Sequence, residues 1–248
     1  MTAADSFDSI APFYDAVHQQ QADIEFYRDL ALECDGPVLE VGCGTGRIYL
    51  ELRRAGVDVT GIDISADSLD ALRDKATQDD LAVDVRQADM RTFDPEPGRE
   101  YALVIVPFRT FLYLQTVDDR LAALESFHSA LGPDGRLALN AFVPDPEIVA
   151  EHYGEWRARK LEIDGERYTH RTRSTVVDAV EQRVRVQTEV LDADESLVVD
   201  SSHELSLVSK AEFELLFRLS PFTSWNVFGG FELESLETAT QEMVWFAE

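Results

Sequence analysis

The sequence predicts an α/β fold in which a sheet wrapped by helices carries a separate antiparallel meander. Three observations point there. From Pro37 to Phe142 short apolar runs alternate with helix-period segments, the mark of a parallel sheet covered by helices. From Arg157 to Leu207 the pattern changes to long runs of strand formers broken at Asp164-Gly165, Asp178-Ala179 and Asp192-Ala193-Asp194. Hydrophobic residues make up 45% of the 248, enough for a sizeable core.

Taken in order, Ile24, Phe26, Tyr27, Leu30 and Ala31 space as a helix, preceded by an aromatic arm with Phe7, Phe13 and Tyr14. Strands are expected at 38–41, 57–62, 82–86, 102–106 and 136–142, each rich in Val, Leu or Ile as a sheet buried on both faces requires. Ile48, Leu52 and Ala55 mark one helical stripe between them. Leu121, Leu124, Phe127, His128 and Leu131 mark another, entered through Asp118 and Asp119 and stopped by Gly132-Pro133-Asp134-Gly135. After a meander of about four strands, a helix over 210–219 opens at Ser209, with Glu212 three residues on as a capping box. Strands near 222–228 and 243–247 finish the chain. The expected division is an arm and first helix over 1–35, the α/β core over 36–150, an antiparallel β cap over 151–208, and a last helix with two strands over 209–248 completing the core sheet.

The charge is lopsided: 22 Lys+Arg against 48 Asp+Glu, net −26, with Lys75, Lys160 and Lys210 as the three lysines. So little positive field argues against nucleic acid as a partner. An evenly acidic, lysine-poor surface suits a protein kept soluble in concentrated salt, so a halophilic source is expected. Cys34 and Cys43 are too few for a disulfide framework, and neither they nor the five histidines have metal-ligand spacing. No metal is expected. The beginning of the chain lacks the features of a signal peptide and no apolar run would span a bilayer, so the expectation is a cytoplasmic protein with no membrane partner.

The chemistry concentrates at Val38-Leu39-Glu40-Val41-Gly42-Cys43-Gly44-Thr45-Gly46-Arg47, an apolar strand entering a glycine-rich turn that opens a helix. Glycines there remove Cβ atoms and let a ligand approach bare N–H groups. Asp63 ends the second strand and Asp89 follows the third. In an open α/β sheet ligands bind beyond the carboxyl ends of the strands, so Gly44, Asp63 and Asp89 would face one ligand. A carboxylate accepts hydrogen bonds only, which suits ribose hydroxyls or an exocyclic amine. A dinucleotide fingerprint, G-x-G-x-x-G, would need glycine where Arg47 stands, which leaves an NAD-dependent dehydrogenase a remote alternative.

Together, Glu40-x-Gly42-x-Gly44-x-Gly46, Asp63, Asp89-Met90 and Leu131-Gly132-Pro133-Asp134-Gly135-Arg136-Leu137 resemble the class I S-adenosylmethionine-dependent methyltransferases over about residues 11 to 143. The resemblance implies a Rossmann-like seven-stranded methyltransferase sheet flanked by helices, with S-adenosylmethionine as cofactor. It implies that Glu40, Gly42, Cys43, Gly44, Thr45 and Gly46 hold the methionyl part, that Asp63 takes both ribose hydroxyls, and that Asp89 takes the adenine amine. Ile64 and Met90 would flank the ring, Val106 and Phe108 would lie beside the sulfonium, and Tyr14 would approach the methionyl carboxylate.

Base-modifying amino-methyltransferases carry Asn or Asp, two prolines and an aromatic after the fourth strand; this chain has Val106-Pro107-Phe108-Arg109-Thr110-Phe111. That stretch, with the helix after it, looks instead like small-molecule methyltransferases such as glycine/sarcosine N-methyltransferases and sugar N,N-dimethyltransferases. Those families often place Asn where Arg109 stands and His where Tyr113 stands, so the acceptor does not carry across. Arg109 is either a clamp for a substrate carboxylate or phosphate, or the partner of one of the many acids. His18 and His152 are candidates at the pocket mouth; no catalytic base is singled out. The run Arg157, Arg159, Lys160, Arg167, Arg171 and Arg173 is either an anion-facing wall or the solvated face of a sheet interleaved with acids.

The expected function is methyl transfer to a nitrogen or oxygen of a small metabolite, with a homodimer contact through the cap. A binding protein without turnover and a protein side-chain methyltransferase are the alternatives.

Overall fold

The computed structural model describes residues 13, 22–95, 98–163 and 165–248, in two compact units. The larger comprises Gln20–Pro144 and Val208–Glu248. The smaller comprises Asp145–Leu207 with Phe13. The expectations placed on Phe7, Tyr14 and His18 lie outside the described residues.

In the larger unit the elements run α1 (Ala22–Leu32), β1 (Val38–Val41), α2 (Tyr49–Arg54), β2 (Val59–Asp63), α3 (Ala66–Gln78), β3 (Asp84–Gln87), β4 (Tyr101–Val106), a 3₁₀ turn (Thr110–Tyr113), α4 (Val117–Ala130) and β5 (Leu131–Phe142). Every residue of β1 is buried, and so is nearly all of β4, which is why these strands read as continuous apolar runs. β1 pairs in parallel with β2 and β4, β2 with β3, and β4 with β5.

Two placements differ from the sequence reading. Helix α3 was not among the segments singled out, although Ser65 caps it by accepting the Ser68 N–H at 3.0 Å and Leu69, Leu72 and Ala76 form its buried stripe. β5 begins at Leu131 rather than 136, because Leu131 already pairs with Tyr101 before a register shift brings Arg136 opposite Leu103. The glycines that stop α4 therefore lie inside a bulged strand.

The smaller unit holds α5 (Pro146–His152) and the strands β6 (Arg157–Ile163), β7 (Glu166–Asp178), β8 (Arg183–Leu191) and β9 (Leu197–Ser206), antiparallel in that order. Helix α5 was also missed; Asp145 caps it and Pro146 opens it, but it is too short for a periodicity signal. Residues opposite one another share a face. One face gathers Val184, Val190 and Val199, with Phe13 packed edge-on against Tyr168. The other carries cross-strand pairs: Arg171 Nε donates to Glu189 at 2.6 Å and Arg185 to Glu204 at 2.8 Å. Arg171 and Arg173 also lie 4.8 and 4.6 Å from the Trp156 ring. Of the basic run noted in the sequence, Arg171 is thus paired with an acid, whereas Arg173 donates to the Gln187 amide oxygen at 2.7 Å.

The chain returns to the larger unit with α6 (Lys210–Leu219), β10 (Trp225–Phe228) and β11 (Glu242–Ala247). Ser209 caps α6 through the Glu212 N–H at 3.2 Å. The Glu212 carboxylate instead accepts from Arg120 of α4 at 2.6 Å, tying the two helices together. β11 runs antiparallel beside β5 and β10 beside β11, completing a seven-stranded sheet in the order β10-β11-β5-β4-β1-β2-β3. No helix among the described residues is long and apolar enough to cross a membrane.

Candidate active site

The glycine turn is held to the end of β2 by its own backbone. The Gly42 and Cys43 N–H groups both donate to Ile62 O, at 2.8 and 3.1 Å. Gly42 is needed for packing: a Cβ there would stand 2.4 Å from Thr110 Cγ2. Gly44 differs, since a Cβ on it would meet only Asp63 Oδ2, at 3.9 Å, so the space above it is open. The Cys43 side chain lies against Gly61, and burial pushes its thiol pKa well up. Thr45 is buried, and Lys75 donates to its carbonyl at 2.9 Å.

Asp63 is the hub of the turn. Its Oδ2 accepts the Gly44 N–H and its Oδ1 the Ser65 N–H, both at 2.8 Å. These bonds fix the orientation of the carboxylate at the end of β2. Ile64 beside it is exposed, unusual for a large apolar residue at a strand end. Met90 is half-buried after β3. Asp89 accepts from Arg91 Nε at 3.0 Å, and Arg91 reaches Asp119 at 2.8 Å. The Arg91 guanidinium holds the Asp89 carboxyl below the usual range.

Glu40 sits inside β1, 2% exposed, and its Oε2 has no hydrogen-bond partner among the described residues. Burial raises its pKa to about 8; Arg47 opposes the rise and Asp63 and Asp23 add to it. A buried carboxylate with an unused acceptor calls for a cationic donor. The sign of its linkage to folding follows from the raised value. Stability that Glu40 contributes below its unfolded pKa of 4.5 is lost as pH rises through about 8. Glu40→Gln is therefore expected to flatten the decline of the melting temperature of the ligand-free protein between these two values; an unchanged pH profile would show that Glu40 does not carry it.

Val106 is buried at the end of β4, and the two residues that follow Pro107 take left-handed backbone, Phe108 at φ 56° and Arg109 at φ 66°. The Phe108 N–H donates to Asn140 Oδ1 at 2.8 Å, the same oxygen that accepts from Tyr27 Oη at 2.9 Å. Asn140 Nδ2 donates to Glu242 Oε1 at 2.7 Å. Arg109 forks onto Glu242, Nε to Oε1 at 2.9 Å and Nη2 to Oε2 at 2.7 Å. Its guanidinium thus meets an acid of the chain, while the side chain stays about half exposed. Tyr113 is half-buried at the end of the 3₁₀ turn, and His152 is exposed in the last turn of α5. Arg47 pairs with buried Asp23, Nη1 to Oδ1 at 2.9 Å, and its guanidinium lies 4.5 Å from the Phe108 ring centre.

The carboxyl ends of β1, β2 and β4 thus bring together Glu40, Gly44, Asp63 and Phe108, with Asp89 after β3. The sequence placed Tyr27 only in a helical stripe, and Asp23, Arg91, Asn140 and Glu242 went unnoticed; Asn140 had a signal as a polar residue inside an otherwise apolar strand.

Comparison with known proteins agrees with this geometry. The methyltransferase domain family matches residues 38–135. A dTDP-3-amino-3,4,6-trideoxy-α-D-glucopyranose N,N-dimethyltransferase of Streptomyces venezuelae is 29% identical over 181 residues, 73% of this chain and 72% of that protein. A ubiquinone biosynthesis O-methyltransferase of Actinobacillus pleuropneumoniae is 34% identical over 100 residues, 40% of this chain; the match spans 43% of that relative's length. The CcbJ methyltransferase from Streptomyces caelestis superposes with a TM-score of 0.80 at 21% identity, covering 98% of this chain and 97% of that one, a likeness of fold. Over residues 38–135 the chain is thus similar to the methyltransferase domain family, and its fold is like that of the Streptomyces caelestis methyltransferase.

Proposed function

We propose that the protein transfers a methyl group from S-adenosylmethionine to a nitrogen or oxygen of a small metabolite by in-line displacement. The observation that carries this reading is the buried Glu40 Oε2, without a hydrogen-bond partner among the described residues, on the strand that runs into the glycine turn where Gly44 is open and donates to the Asp63 carboxylate. These residues fit the cofactor: Glu40 has an acceptor for the methionyl ammonium, Gly44 leaves room for the methionyl chain, and Asp63 has acceptors for ribose hydroxyls. Gly42, Cys43, Thr45 and Gly46 shape that turn. Asp89 takes the adenine amine, Ile64 and Met90 flank the ring, Val106 and Phe108 border the sulfonium, and Tyr14 approaches the methionyl carboxylate.

When bound, the cofactor supplies an electrophilic methyl on a sulfonium that leaves as a neutral thioether, so no acid is required of the protein. The residues' work is alignment of the acceptor atom with the methyl–sulfur axis in a site that excludes water, an effect that reaches roughly 7 to 11 kcal/mol in favourable systems. The acceptor loses a proton as it is methylated, and a positioned base would contribute about 10² to 10⁴ in rate. Arg109, Tyr113, His18 and His152 are the candidates for the acceptor side.

The first experiment is a calorimetric titration of S-adenosylmethionine, S-adenosylhomocysteine and NAD. One-site binding of both adenosyl compounds with no response to NAD supports the reading; silence from both overturns it. Mass analysis of metabolite extract and proteome digest after incubation then separates a small acceptor from a protein side chain, and product in neither favours binding without turnover.

The net charge of −26 supports a small acceptor over nucleic acid, and also salt adaptation in a cytoplasm of high ionic strength. The melting temperature is expected to rise from low salt to molar KCl, as repulsion among the acids is screened; a flat or falling curve rules the adaptation out. A homodimer through the antiparallel sheet is part of the proposal, and light scattering tests it.

A further inference from the structure

We propose that helix α1 fixes Phe108 from two sides, so that Asp23, Tyr27 and Asn140 are positioning residues for the wall that meets the methyl group. The proposal rests on the reading that Phe108 borders the sulfonium. Asp23 and Tyr27 lie four residues apart, on one face of α1, and both are buried. Each starts a separate route to Phe108. From Tyr27 the route runs through Asn140 Oδ1 to the Phe108 backbone N–H, by bonds of 2.9 and 2.8 Å. From Asp23 it runs through the Arg47 guanidinium to the Phe108 ring.

The orientation of Asn140 is fixed by its other end. Its amide nitrogen donates to the Glu242 carboxylate, so its oxygen must face Tyr27 and Phe108. Burial raises the Tyr27 pKa, which keeps the hydroxyl a donor across the working range. Arg109 closes the circuit on Glu242. What the circuit holds is a segment that would otherwise relax: two successive side-chain-bearing residues with positive φ are a strained arrangement that persists only where its surroundings enforce it. The strained residues stand next to the glycine turn, since Thr110 packs on Gly42. A network serving stability alone has no need to converge on one strained residue at the end of β4.

Tyr27→Phe removes one hydroxyl while keeping the ring in place, and Asp23→Asn combined with Arg47→Gln removes the second route without leaving a buried charge. The measurements are hydrogen exchange of the Phe108 amide by NMR and calorimetric affinities for adenosine, S-adenosylhomocysteine and S-adenosylmethionine. Tyr27→Phe is expected to speed Phe108 exchange about five-fold and to shift the S-adenosylmethionine to S-adenosylhomocysteine affinity ratio by about three-fold, sizes typical of one lost hydrogen bond. Adenosine affinity stays unchanged. The triple variant is expected to exceed the product of the separate effects, because the routes share an end. Unchanged exchange overturns the tether, and faster exchange with an unchanged affinity ratio overturns the positioning role. Failure of the native protein to bind either adenosyl compound would instead strike the cofactor reading; the exchange measurement still decides the tether.

Discussion

Asp63→Ala is expected to lower the affinity for S-adenosylmethionine and S-adenosylhomocysteine at least about 100-fold, the size of losing two hydrogen bonds to a charged acceptor at roughly 1.5 to 3 kcal/mol each. The expectation follows from geometry: the carboxylate is held by the Gly44 and Ser65 N–H groups at 2.8 Å each, so it is aimed before any ligand arrives. The same two bonds mean that the substitution also touches stability. Two backbone donors lose their acceptor, and a decline of about 1 to 3 kcal/mol is expected where they are shielded from water. In a chain of this size about 1 kcal/mol moves the melting temperature by about 2 to 4 °C, so folded protein remains to be titrated. Asp63→Asn gives only partial recovery, because an amide presents one acceptor and one donor where two N–H groups need acceptors. Calorimetric titration of each variant beside its melting curve decides the matter. An Asp63→Ala protein that binds with native affinity would leave Asp63 a purely structural clip between the two turns.

What could be read from the sequence was what local chemistry specifies. β1 and β4 announce themselves because a strand buried on both faces must be apolar throughout, and the meander because its turns carry Asp or Gly at the hairpin positions. Glu40, Gly44 and Asp63 were legible for a similar reason: a glycine turn after a buried strand, and an acid at the next strand's end, are short-range patterns. The circuit around Phe108 was not. Tyr27 and Asn140 are 113 positions apart and meet where α1 packs on the sheet, while Asn140 and Glu242, 102 apart, meet because β11 pairs antiparallel with β5, with Glu242 opposite Phe142 and Val244 opposite Asn140. No local pattern encodes that register. Arg47 is the plainest case. In the sequence it was the residue that spoiled a dinucleotide fingerprint, whereas in the fold it joins α1 to the Phe108 ring. The Glu242 partner of Arg109 was equally out of reach of a local reading, since it lies 133 positions away.

The glycines of the turn make the second large prediction, because alanine at two neighbouring positions should fail in opposite ways. Both carry positive φ, 73° at Gly42 and 52° at Gly44, so either substitution bears the left-handed penalty of roughly 1 to 2 kcal/mol. At Gly42 the new Cβ would also stand 2.4 Å from Thr110 Cγ2 and 3.2 Å from Thr110 Cβ, so the 3₁₀ turn after β4 must move. Overpacking of this kind adds about 1 to 3 kcal/mol, and Gly42→Ala is expected to lower the melting temperature by roughly 5 to 15 °C. At Gly44 the Cβ meets nothing nearer than Asp63 Oδ2 at 3.9 Å. Gly44→Ala is therefore expected to fold, with a melting temperature only about 2 to 8 °C lower. Its added methyl, however, enters the space through which a ligand reaches the turn, so S-adenosylhomocysteine affinity should fall at least about ten-fold, as when any packed contact is overfilled. The ratio of the two effects is the diagnostic. If Gly44→Ala melts like Gly42→Ala and binds normally once folded, the open face is not where the cofactor lies; if it melts near the native value and loses binding, the methionyl chain passes over Gly44.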